Sequence, residues 1–548
     1  MHTYTRRALL GASVVAAGSG LLTGCSGSDS PPASGPGPGQ GPGPGGTGSG
    51  PGGTRFVPKG PKGYVDPSGP EVVAAERRRG SGPVRRFKLT ATQTSLDLGG
   101  RTVRSWAYGD SLPGKEVRIT AGDTLDLTLA NHLPAATTLH SHGVRMRCDM
   151  DGVPDLTQNP IAPGADFTYR FVAQHPGTYW IHSHSGMQLD RGLYAPFIVE
   201  DPREPLAYDK EWVVVLDDWL DGVDGSTPDD VLAELRHGKG PAMDMGMGKG
   251  GGASHDHGGR GSNGGKPMGP SRMLHGSRSH LLRSEGGNVA YPYYLINGRR
   301  PQAPTVFKAR AKDRIRLRII NASGDTAFRV ALGGHEMTVT HTDGYPVEHH
   351  TTDALLLGMA ERYDVLVTAK DGVFPLVALA EGKQARAMAV LRTDKGGTLP
   401  SPSVFPDELD GRLVPARRLR PQDSVALPER DPDRQIRIKL SGDMRDFDWS
   451  FDHRPYSVEQ RHPIRQGERI RLSLINSTGM WHPLHLHGHT FAMTGLDAAG
   501  ARKDTAYVLP HRKLVVEFDA DNPGLWMLHC HNQYHSESGM MTILGYRT

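Results

Sequence analysis

The stretch LWMLHCHNQYHSESGMM, from Leu525 to Met541, sets Cys530 between His529 and His531, with His535 and Met540 five and ten positions beyond the cysteine. Thiolate, imidazole and thioether are the ligands of a soft transition metal. In an extended strand, successive side chains point to opposite faces. One metal therefore cannot use Cys530 together with both of its neighbours, and two sites facing opposite ways are expected. His-x-His recurs at His140/His142, His182/His184, His485/His487 and His529/His531. On a strand each pair sends both rings to one face. Eight imidazoles with no carboxylate interleaved favour copper over magnesium, calcium or manganese. For the opposite face, Cys530 has His535 and Met540 after it and His482 in HPLHLHGHTF. Two histidines, a cysteine and a weak axial methionine form the ligand set of a blue-copper electron-transfer site.

The elements that must hold these residues repeat. VRITAGDTLDLTLANHL (117–133), FKARAKDRIRLRIINAS (307–323) and HPIRQGERIRLSLINST (462–478) each give a turn, an alternating half-buried strand and an asparagine. Nine and eleven residues after Asn131 stand His140 and His142, followed by Gly143, and at the same offsets from Asn476 stand His485, His487 and Gly488. From Asn321 those offsets reach Val330 and Leu332, followed by Gly333. A second anchor agrees: His182 lies five residues after Gly177, and His529 five after Gly524. The middle copy's DGVFPLVALAEG has no histidine. The metal chemistry is expected in the first and third copies, across an interface between them, and the thiolate in the third alone.

HSHG (140–143), HSHSG (182–186), HPLHLHGHTF (482–491) and HCHNQYHSESGM (529–540) resemble the four copper signatures of the multicopper oxidases, specifically the three-domain, laccase-like bacterial members. The resemblance covers roughly residues 85 to 548 and implies an all-β chain of three consecutive cupredoxin domains, each a Greek-key β-sandwich or barrel. It implies four coppers. Type 1 copper would take His482, Cys530 and His535 with Met540 axial, and type 2 copper His140 and His485. One type 3 copper would take His142, His182 and His531, the other His184, His487 and His529. The implied reaction is one-electron oxidation of phenols, aromatic amines or Cu(I) at type 1, coupled to four-electron reduction of molecular oxygen to water. Electrons would enter by an exposed edge of His482 or His535 and pass through the Cys530 sulfur to His529 and His531. Asp151, in CDMDGVPD, resembles the acid that the family keeps near type 2 copper, with a proton-relay or water-orienting role; the bland alternative is a turn residue before Gly152. Ser536 stands where many bacterial relatives carry an acid after the second type 1 histidine. The alternatives are a cuprous oxidase dedicated to copper detoxification, a copper nitrite reductase, and a non-catalytic copper-binding protein of the same fold.

The expected organisation assigns 1–25 to an export signal, 26–84 to a disordered Gly/Pro-rich tether, 85–203 to the first domain, 204–395 to the second and 396–548 to the third. Length alone suggests three or four domains. Abundant Gly (70) and Pro (42) against 13 Phe and 7 Trp suit a turn-rich β protein. A net charge of +4 over 548 residues implies no nucleic-acid partner, and the arginines of ERRRGSGPVRR (76–86) read as a solvated linker. Paired Arg6 and Arg7 before an apolar run resemble a twin-arginine (Tat) signal, and LTGC resembles a lipobox that would leave Cys25 lipidated. The expected location is extracytoplasmic, anchored to the membrane, with simple secretion as the alternative. Cys148 then has no partner and is expected as a packed residue, with no internal disulfide. A three-domain chain also suggests a monomer. The insert 240–283 carries Met243, Met245, Met247, Met268, Met273, His255, His257, His275 and His280, soft ligands suited to Cu(I), as in the family's copper-efflux members.

Overall fold

The computed structural model describes residues 59–237, 269–394 and 396–548. The strands pair into six sheets, two for each sequence repeat. In the first repeat Thr102–Tyr108, Val84–Asp97, Thr124–Asn131 and Asp166–Val172 form one sheet in that order. Val117–Thr120, Tyr194–Glu200, Gly177–His182 and His140–His142 form the other. The second repeat builds a six-stranded and a five-stranded sheet between Lys210 and Arg392, and the third repeats this between Arg434 and Tyr546. In every copy the opening strand lies parallel to the strand that ends in the anchor asparagine: 84–91 on 124–131, 210–216 on 315–321, 434–440 on 470–476. Parallel neighbours require a crossover between the two sheets, which gives the double-layered cupredoxin arrangement.

Asparagine at the anchor is a matter of hydrogen bonding. Asn131, Asn321 and Asn476 are buried, and each amide Nδ2 donates to carbonyls of the following loop. Each Oδ1 accepts the backbone N–H two residues on. The side chain thus closes a tight turn where a buried backbone would otherwise lack partners. Beyond that turn the copies pair alike: His140 faces His182, His485 faces His529, and in the middle copy Val330 faces Ala378. Val330 and Leu332 are fully enclosed in the core. An imidazole there would be buried without a partner, at a cost of roughly 1–3 kcal/mol.

The expectation of a tether through residue 84 needs correction. Residues 59–79 fold onto the body, and Pro70–Arg79 is a helix. Pro70 sits in its first turn, where a missing N–H costs nothing, and Arg77, Arg78 and Arg79 lie at the negative end of its dipole. Val72 and Ala75 are buried. Glu76 accepts from Val172 N of the first domain at 2.9 Å, and Arg79 donates to Asn522 of the third at 2.7 Å. Upstream, Val65 N bonds Tyr546 O at 2.8 Å, and Arg547 stacks on the Tyr64 ring at 4.3 Å. Arg79 is therefore an interface residue and not a solvated linker charge. The signal, Cys25, tether residues 26–58 and insert residues 240–268 lie outside the described residues. Among the described residues no helix is long and apolar enough to cross a membrane.

Candidate metal centres

The strand Leu525–Cys530 pairs with His482–Leu486, setting Leu484 opposite Cys530 and His485 opposite His529. Alternation then sorts the ligands. His482 and Cys530 face one side, and His485 and His529 the other. On the first side the ring nitrogens and sulfur of His482, Cys530 and His535 lie within 4.8 Å of one another. Cys530 Sγ is 3.7 Å from His482 Nδ1 and 3.8 Å from His535 Nδ1. His535 returns to its neighbour because a short helix, Gln533–Ser538, follows the strand. Asn532 caps that helix by accepting from Tyr534 N and His535 N. Gly539, at φ 127°, ends it in a conformation that L side chains rarely adopt. The turn brings buried Met540 back alongside, with Cys530 N donating to Met540 O at 3.0 Å.

On the other side the four His pairs converge from two domains. Ligand atoms of His142, His182 and His531 lie within 4.8 Å of one another, as do those of His184, His487 and His529, and those of His140, His142 and His485. Rings of opposite domains stack: His140 on His487 at 4.0 Å and His142 on His485 at 3.6 Å. Burial pushes His142, His182, His487, His529 and His531 toward the neutral form, well below the ordinary histidine value. His184 is lowered to about 3. Neutral imidazole is the ligating form. Nε2 of His140, His182, His184 and His485, Nδ1 of His142 and both ring nitrogens of His531 are buried with no hydrogen-bond partner. Orphaned buried acceptors are costly, and a cation among them would satisfy the whole set. The thiol of Cys530 is likewise pushed up by burial, so only an adjacent cation would hold the thiolate there.

Models of the multicopper oxidase family match residues 90–204, 275–396 and 429–547. The chain is 47% identical over 477 residues to multicopper oxidase MmcO of Mycobacterium tuberculosis, covering 87% of this chain and 90% of that one. The chain belongs to the multicopper oxidase family. The oxidase is also 28% identical to a copper resistance protein A homolog of Pseudomonas syringae pv. tomato, over 83% of this chain and 91% of that one. A solved structure of Fet3p, a multicopper oxidase that functions in iron import, shares the fold with a TM-score of 0.68 at 23% identity, over 84% of this chain and 90% of that one. Laccase from Botrytis aclada does so with a TM-score of 0.65 at 24% identity, over 85% and 88%. The family uses one type 1, one type 2 and a pair of type 3 coppers, and the orphaned ring nitrogens and the buried thiol of this oxidase fit them.

Two carboxylates fix the cluster's rings from behind. Asp151, fully buried, accepts from His487 Nδ1 through Oδ2 at 2.9 Å, and its backbone carbonyl accepts from His140 Nδ1 at 2.7 Å. It holds the outer nitrogens of one stacked pair and leaves their Nε2 atoms facing inward. Asp504 holds the other pair, 3.1 Å from His142 Nε2 through Oδ1 and with its carbonyl 3.0 Å from His485 Nδ1, which leaves His142 Nδ1 and His485 Nε2 without a partner. Asp504 escaped sequence reasoning because ARKDTAYV (501–508) looks like a charged surface turn and carries no metal motif. His489, the third imidazole of HLHGH, leaves the cluster and meets Tyr546 Oη at 2.7 Å. Ser536 Oγ stands 3.4 Å from His529 Nδ1, so no acid occupies that place. Cys148 is buried with Sγ 3.3 Å from Leu525 O.

The exposed-edge expectation for electron entry needs correction. His482 and His535 are both 0% exposed. His482 Nε2 lies 2.8 Å from Thr478 Oγ1, and His535 Nε2 lies 2.7 Å from Asn288 Oδ1. Trp449 packs on both rings, at 5.2 and 4.4 Å between centroids. Thr478 and Trp449 belong to the third domain, and the cap on His535 Nε2 comes from the middle domain. Asn288 is held there by its backbone N–H on Asp325, and Arg236 of the helix Pro228–His237 donates to Glu537 O. A cover supplied by another domain is not visible in the ligand motif.

Proposed function

We propose that the oxidase takes Cu(I) as its donor, with phenols and aromatic amines as poorer ones, and passes the electrons to molecular oxygen. The observation that carries this reading is the closed edge of both type 1 imidazoles. A planar phenol has no bare ring edge to touch, whereas an electron from a small bound cation has only to cross Thr478 or Asn288. Likeness to copper resistance proteins supports the same donor. His482, Cys530, His535 and Met540 would hold type 1 copper, and His140 and His485 type 2. His142, His182 and His531 would hold one type 3 copper, and His184, His487 and His529 the other. Copper in those positions supplies one-electron acceptance and the four-electron reduction of oxygen to water. The chain itself contributes neutral, preoriented imidazoles, a strand in which Cys530 adjoins ligands of the second site on both sides, and an enclosure that keeps water from the thiolate. Asp151 orients His140 and His487 and stands where a proton could be held beside the cluster.

The test is a comparison of kcat/KM for Cu(I) and for 2,6-dimethoxyphenol in the copper-loaded oxidase and in Asn288→Gly. Cu(I) is expected to be the better donor of the intact protein. Opening the His535 edge is expected to raise phenol oxidation at least ~10-fold, equivalent to removing a barrier of about 1.4 kcal/mol. Better turnover of the phenol by the intact protein would overturn the reading. For the cell, we propose a folded, Tat-exported monomer anchored through lipidated Cys25. Cys25→Ser is expected to move the oxidase from the membrane fraction to the medium, and unchanged membrane association would count against the anchor.

A further inference from the structure

Among the described residues the middle domain contributes no imidazole to either site, yet it reaches the cluster through one buried pair. Arg362 donates from Nη1 to Asp504 Oδ1 at 2.7 Å and from Nη2 to Oδ2 at 2.6 Å. Both side chains are 0% exposed. Two further N–H groups of the guanidinium are used as well: Nε donates to Thr178 O of the first domain at 3.1 Å, and Nη1 to Ala360 O at 3.1 Å. Asp343 of the middle domain completes the frame. Its Oδ1 accepts from Arg362 N at 2.9 Å, and its Oδ2 accepts from Asp504 N at 3.2 Å and Thr505 N at 3.1 Å. Lys503 balances the second charge, 3.1 Å from Asp343 and 3.0 Å from Glu361. Three domains thus meet at one two-pronged ion pair.

We infer that Arg362 is a positioning residue for the oxygen-reducing cluster, acting through Asp504 on His142 and His485. The two carboxylates of the cluster differ here. Asp151 and Asp504 each serve one ring from the first domain and one from the third, but only Asp504 is gripped by an arginine. That grip fixes the direction of Oδ1, and Oδ1 fixes which nitrogen of His142 carries its proton. With Nε2–H donating to Asp504, Nδ1 of His142 is the nitrogen left to ligate, and it is buried without a partner. Gly143 supplies an independent sign that the sequence accommodates the pair. A Cβ at that position would lie 2.4 Å from Arg362 Nη2 and 2.6 Å from Asp504 Oδ2. The glycine that closes HSHG is therefore required by the middle domain's arginine as well as by its own φ of 83°.

This inference rests on the copper reading above, and the experiment separates the two. Wild-type oxidase, Arg362→Met and Arg362→Lys are loaded with copper and followed by metal analysis, by the blue absorption and by electron paramagnetic resonance, with chelator competition for retention. Arg362→Met is expected to keep the blue absorption and to lose copper from the cluster, with retention on the order of 10–100-fold weaker and an altered type 2 signal. Its kcat should fall while KM for the donor holds. Arg362→Lys keeps the charge but cannot make the two-pronged bond, and it should fall between the two. Filling the volume alone would not rank lysine above methionine. Wild-type copper retention and an unchanged type 2 signal in Arg362→Met would overturn the inference. If that variant does not fold, the same result in Arg362→Lys overturns it. A wild-type protein that takes up no copper would instead refute the copper reading.

Discussion

Replacing Cys530 with serine removes the blue absorption and donor-driven oxygen uptake together, and leaves the histidine cluster able to hold its metal. Serine is nearly the same size, so the fully buried site keeps its packing. What it loses is the soft anionic donor, since a hydroxyl does not ionise in a site where burial already pushes a thiol up. The cluster's rings come from the opposite face of this strand and of its neighbour and from the first domain, and none of these depends on the sulfur. The expected result is turnover at the level of copper-free protein, with one copper fewer per chain and the cluster's magnetic signature retained. A serine variant that stayed blue would show that the thiolate belongs elsewhere.

The second large effect is expected at Asp151. Asp151→Ala strands Nδ1–H of His487 in a fully buried place and frees its ring to rotate. Copper retention and kcat should both fall, on the order of 10–100-fold. Asp151→Asn separates the two duties of the side chain. Its amide oxygen can still accept from His487, so copper should remain, while the missing charge removes any place to hold a proton. In that variant kcat should drop with copper content unchanged. Metal analysis beside steady-state oxygen uptake reads both. Unaltered kcat in Asp151→Asn would reduce the residue to a support for the two rings.

Much of this molecule was legible because strand alternation and repeated spacing are local properties. The split of the Cys530 motif into two opposed sites follows from alternation alone, and the absence of imidazoles from the middle copy's ligand positions follows from counting from Asn321. The residues that escaped share a different character. Asp504, Arg362 and Asn288 act on rings far away in sequence, and each is of a type usually found on surfaces. Nothing in RKDT or ERYD announces that it will be enclosed by three domains. The buried edge of His535 was missed for the same reason, since Asn288 belongs to another repeat, whereas His482 is closed by Thr478 and Trp449 of its own. Residues 59–79 follow a Gly/Pro-rich stretch and end in an arginine run that looks solvated, although Pro70, Val72 and Ala75 already carry the marks of a short packed helix.

That N-terminal segment has a mechanical consequence. The three domains already touch in a ring, and the strap joins the first to the last by a route that bypasses the middle one, with Tyr64 and Arg79 on the third domain and Glu76 on the first. Parting the first and third domains, the only way to pull the His pairs asunder, would mean peeling the strap as well. A tied contact re-forms at the high effective concentration of a linked partner. The seam between the His pairs is therefore expected to open less readily, and to close again more readily, than it would without the strap.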